Sequence, residues 1–190
     1  MSGTVVVSLD AELCWGFHDQ VTMPADRIAA PRASWRFLTA LFEKHEIPAT
    51  WAVVGHLCLD GCDGTHADHP CEEAWFSRDP GGVMTADSRW FAPRLVTNIR
   101  DSAVGHDIGL HAFSHVEFGA KATTPAIADA ELHHGVTAVD RLGITPVSFV
   151  FPRNNVGHRS LLAARGFTCY RGLRPDRWYD TSPVPGVETL

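Results

Sequence analysis

Apolar residues along this chain recur with two different periods, and the two alternate. Residues 4–10 are valine-rich and read as a strand. Breakers follow at Gly16, Asp19 and Pro24. Trp35, Leu38, Leu41 and Phe42 then recur at helical spacing, which predicts a helix over 33–45 closed by Pro48. Residues 49–55 are almost continuously apolar, the pattern of a strand covered on both faces. A short helix is expected over 93–102 and a third strand over 106–111. Thr124 and Pro125 supply an N-cap and a first helical position for a helix that runs to Leu142 and stops at Gly143. Strands at 146–151 and 167–171 flank a short helix over 158–166. The alternation predicts an α/β fold with parallel strands.

Residues 57–92 fit neither period. They are rich in Gly, Asp, His and Pro, yet carry Trp75, Phe76, Trp90 and Phe91. A long irregular segment with four large aromatics reads as a functional loop, since disordered tracts are poor in them. The tail after 171 has no period.

At 190 residues, with 45% apolar and 20% charged positions, the chain is expected to form a single domain over 1–190. A net charge of −6 argues against a nucleic-acid partner, which needs a basic footprint. Neither a signal-peptide pattern nor an apolar stretch long enough to span a membrane is visible, so the default location is cytoplasmic. The odd count of five cysteines favours free thiols. Cys58, Cys62, Cys71, His66 and His69 lie within fourteen residues and can be read as a small zinc site. Their spacing fits no established pattern, and a loop with free thiols is the simpler account.

Candidate chemistry concentrates at strand ends. His111 and His115 lie four apart in GHDIGLHAFSH (105–115), a spacing that brings two imidazoles to one metal from a helical face or a tight turn. The first strand ends in Asp10-Ala11-Glu12, two acids spaced by two. Neither a glycine-rich phosphate loop nor a Gly-x-Ser-x-Gly elbow is present, which argues against acyl-enzyme chemistry on serine.

In order along the chain, Asp10-Ala11-Glu12, IPATWAVVGH (47–56), GHDIGLHAFSH and FVFPRN (149–154) resemble the motifs of the polysaccharide deacetylase family, the NodB-homology or carbohydrate esterase family 4 group. That resemblance implies an irregular (β/α) barrel with its site at the C-terminal ends of the strands. It also implies a divalent metal, zinc first, and an N-acetylated carbohydrate as substrate. The implied reaction is hydrolysis of a carbon–nitrogen bond that is not a peptide bond.

The family's adjacent aspartates are a base and a metal ligand, but the second position here is Ala11. One assignment makes Glu12, His111 and His115 the metal ligands and Asp10 the catalytic base. Another makes Asp10 the ligand and Glu12 a structural partner, and a third is loss of the metal. Arg153 is expected to reach back and orient Asp10, because Val150 fills the usual arginine slot. Pro152 and Trp178 are the candidate substrate-binding positions. The family's final Leu-x-His, its general acid, has no counterpart, since no histidine follows Gly166. The reading adopted is a chain lacking the last barrel strands; the alternative is an acid from elsewhere. Two further functions stay open, hydrolysis of a non-sugar amide and an inactive carbohydrate-binding relative. Sequence leaves the oligomeric state open.

Overall fold

The computed structural model describes residues 5–85 and 88–172, and the backbone of 188–189. Its first strand, β1 (Ser8–Ala11), is shorter than the valine pattern suggests. Val5 and Val6 are exposed, because the partner strand begins only after Pro48, which has no N–H to donate. The bond from Thr50 N–H to the Val7 carbonyl is where pairing starts.

Helices α1 (Ala25–Ala29) and α2 (Pro31–His45) follow. Pro31 opens α2 at a position where its missing N–H costs nothing, and Trp35 and Phe42 face inward. Strand β2 (Thr50–Val53) is buried at every residue, as its unbroken apolar run requires. The segment read as an irregular loop contains a two-residue antiparallel ribbon, β3 (Gly61–Cys62) with β4 (Gly82–Val83), and one helical turn between them, α3 (Glu73–Phe76).

Helix α4 (Pro93–Arg100) leads to β5 (Asp107–Leu110). Helix α5 (Pro125–Asp140) starts as expected, with the Thr124 hydroxyl accepting from Ile127 N–H. Gly143 follows in a left-handed conformation (φ +71°) that ends the run. Strand β6 (Ser148–Val150), helix α6 (Ser160–Ala164) and strand β7 (Cys169–Arg171) come next. A sixth main strand, β8 (Glu188–Thr189), lies in the tail where no period is visible.

The main sheet runs β1-β2-β5-β6-β7-β8 with every pair parallel. Strands neighbour one another in chain order, as in a barrel wall. The sheet curls: the Arg171 guanidinium on β7 meets Asp10 on β1 at 2.7–2.8 Å and Ser8 Oγ at 3.1 Å. Four strand spacings of about 4.8 Å separate these strands in a flat sheet, farther than an arginine reaches. The described strands therefore form a curved half-barrel. Among the described residues no helix is long and apolar enough to cross a membrane.

Candidate active site

Register sets the level of the site. Ala11, Val53 and Leu110 lie in one row across β1, β2 and β5. Glu12 and His111 are each one residue further on, at the C-terminal rim. His115 joins them through a tight turn, not a helix, because Ala112 (φ +61°) and His115 (φ +68°) are both left-handed. Gly16 leaves room for the arrangement: a Cβ there would lie 2.1 Å from Glu12 Oε1.

The three side chains converge. Glu12 Oε2 is 3.0 Å from His115 Nε2 and 3.5 Å from His111 Nε2. His111 Nδ1 lies 2.7 Å from the Val150 carbonyl, to which it can only donate. In the neutral ring Nε2 is then a lone pair, and it is buried without a hydrogen-bond partner and faces the Glu12 carboxylate. Two imidazoles and a carboxylate, one imidazole held by a backbone carbonyl, are a donor set that could hold a divalent metal with a position left open. Burial pushes the Glu12 carboxyl up, but the neighbouring histidines, His115 at 3.0 Å above all, outweigh it and hold it at about 2.

Glu131, not among the candidates read from the sequence, holds the turn. From α5 its Oε2 accepts the N–H groups of Phe113 and Ser114 at 2.8 Å each, and its Oε1 accepts the Ser114 hydroxyl. His69 Nε2 approaches Oε1 at 3.1 Å. Its signal was an acid among α5 residues that face inward, Ala128, Leu132 and Gly135.

Asp10 lies outside the three-ligand convergence. Its partner is not Arg153, as expected, but Arg171, which grips both its oxygens as a fork. Arg153 and Asn154 are left-handed (φ +52° and +54°), and that kink turns the Arg153 guanidinium to Asp19 (2.5 Å) and Glu117 (3.0 Å). Pro152 is buried at the head of this turn and offers little surface to a ligand. Trp178 lies outside the described residues.

A cleft of about 610 Å³ is lined by His18, Asp19, Trp75, Val116, Glu117 and Ile127 among others, so Arg153 braces two of its walls. Of the four large aromatics in 57–92, Phe76 and Phe91 are core residues, each 2% exposed. Trp75 lines the cleft and donates from Nε1 to Ser114 Oγ at 2.9 Å. His18, also missed, lines it too. Its Nδ1 is 2.7 Å from the Trp15 carbonyl, and its Nε2 has no hydrogen-bond partner among the described residues.

No family model matches this chain, and no curated protein does. Solved structures do. A protein from Mycobacterium smegmatis assigned as a polysaccharide deacetylase superposes with a TM-score of 0.59 at 16% identity, over 88% of this chain and 50% of that one. A de-N-acetylase from Aggregatibacter actinomycetemcomitans gives 0.56 at 10% identity, over 97% of this chain and 68% of that one. The Streptococcus pyogenes deacetylase PplD, solved with acetate, gives 0.52 at 11% identity, over 85% and 52%. The chain spans about half the length of the first and third of these. With six parallel strands in chain order and these likenesses, the chain has the fold of the polysaccharide deacetylases.

Proposed function

We propose that this chain is a metal-dependent hydrolase that removes N-acetyl groups from a carbohydrate. One observation carries the reading: the buried, unpartnered His111 Nε2 meets His115 Nε2 and Glu12 Oε2 at the C-terminal rim of the sheet. Glu12, His111 and His115 hold the ion, with zinc the first choice for this donor set. When bound, a divalent ion polarises the acetamide carbonyl and makes water nucleophilic near neutral pH. Asp10, oriented by the Arg171 fork, accepts the proton of the attacking water. The departing amine needs a proton, and His18 is the residue on the cleft wall with a free ring nitrogen to relay one. Trp75 gives a sugar ring an aromatic face on the cleft wall.

Acetate release from N-acetylated oligosaccharides, measured with added zinc and after chelation, tests this. Release is expected only with metal and is lost in His111→Ala/His115→Ala together with one equivalent of bound metal. Release that survives the double substitution overturns the assignment. Turnover of ureides in place of sugars moves the chain to the non-sugar amide reading.

A further inference from the structure

We propose a second, structural metal site, built from His56, Cys62, His66 and Asp79 and suited to zinc. The four ligand atoms come from separate places: the turn after β2, strand β3, the loop beyond it, and the residues after α3. Their donor atoms all lie within 4.8 Å of one another. Asp79 Oδ2 is 2.9 Å from His56 Nε2, 2.8 Å from His66 Nε2 and 3.2 Å from Cys62 Sγ, and the two imidazole nitrogens are 3.2 Å apart. A tetrahedral zinc site with bonds of about 2.0–2.3 Å has ligand-to-ligand edges of roughly 3.3–3.7 Å. The cluster is already within a few tenths of an ångström of that at its nitrogen edge.

Proton counting points the same way. His56 Nδ1 lies 3.2 Å from the Trp90 carbonyl, so a neutral ring carries its hydrogen there and leaves Nε2 as a lone pair. That lone pair faces Asp79 Oδ2, a second acceptor, and His66 has one ring hydrogen to share between them. The His56 and Asp79 side chains are both 0% exposed. A divalent cation satisfies every lone pair at once, with Cys62 giving up its thiol proton on binding.

The surrounding bonds are those of a built site. The Trp90 carbonyl orients His56, and Gly81 N–H donates to Asp79 Oδ1 at 3.0 Å. Asp63 caps the turn that carries His66, accepting from Thr65 N–H and His66 N–H. Four protein ligands leave no open position, which marks a structural site. Residues 57–92 need one: a ribbon of two-residue strands and a single helical turn are too small to stand alone. Stapling them places α3, and with it Trp75, on the cleft wall. The nearby trio His69, Cys71 and Glu131 is different, because Glu131 already accepts from two backbone N–H groups and a hydroxyl.

Sulfur separates this site from the catalytic one, which has none. The purified chain and its His111→Ala/His115→Ala form are loaded with cobalt(II). Both are expected to show thiolate-to-cobalt charge-transfer absorption, and the double variant to retain one equivalent of metal. Cys62→Ser abolishes the absorption while Cys71→Ser keeps it. A folded His111→Ala/His115→Ala chain that binds no metal, or one whose bound cobalt lacks the sulfur signature, overturns the proposal without substitution of any of its four ligands. A catalytic site that fails to bind metal leaves the sulfur signature intact.

Discussion

Glu131 shows what one buried side chain does in this fold. Burial pushes its carboxyl up, but the bond from His69 and those from Ser114 outweigh the cost and leave it below the ordinary carboxylate value. A depressed folded value stabilises the protein above the unfolded value of about 4.3, and that stability is lost as pH falls through the folded value. Glu131→Ala is therefore expected to destabilise the chain by about 3 kcal/mol at neutral pH, since it orphans the Phe113 and Ser114 N–H groups. The loss should shrink as the pH is taken well below 4. Thermal midpoints of both proteins measured down the acid range check this; a gap independent of pH would mean the carboxylate charge is irrelevant. The three converging side chains were readable at this scale because His111, His115 and Glu12 sit close to apolar runs that announce strand ends. Glu131 and Arg171 were not, because each acts on residues far along the chain, nor was His18, whose place on the cleft wall beside Trp75 exists only once the chain has folded.

Helix α5 crosses the turn after β2 at close range. A Cβ on Gly55 would lie 2.7 Å from the Gly135 Cα, and one on Gly135 would lie 2.7 Å from Leu110 Cδ2. The first obstacle is backbone, which cannot swing away. Gly55→Ala is expected to cost about 1–3 kcal/mol through overpacking. Gly105→Ala, with nothing within 4 Å of its added Cβ, serves as the neutral control. Urea midpoints decide, and equal stabilities for the two variants would refute the close approach. Periodicity found α2, α4 and α5 with their caps because those signals are local. It overran β1, whose length is set by where β2 offers N–H groups. It found nothing regular in 57–92, whose ribbon strands and single turn last only about one period each.

Across the whole molecule, Arg171 ties the first strand of the sheet to the fifth. Under the proposed chemistry the same fork orients the base. Arg171→Met is expected to lower kcat by about 100-fold, the cost of a misplaced catalytic group, with a much smaller change in KM. Arg153→Met, which loses Asp19 and Glu117 instead of Asp10, should change KM more than kcat. Steady-state kinetics on the two variants distinguishes the roles, and the reverse pattern would restore Arg153 as the partner of Asp10.

The sequence by itself determined the alternation of strands and helices, the parallel sheet, and three of the residues that meet at its rim. These follow from periods, caps and strand ends, all written within a few residues of one another. Only the tertiary structure decided which arginine reaches Asp10, which acid holds the histidine turn, and which four of the scattered His, Cys and Asp side chains converge. Those pairings depend on the curl of the sheet and on left-handed turns at Ala112, His115 and Arg153. A chain closes such contacts across long separations only when its strands have taken their places, so no local pattern records them.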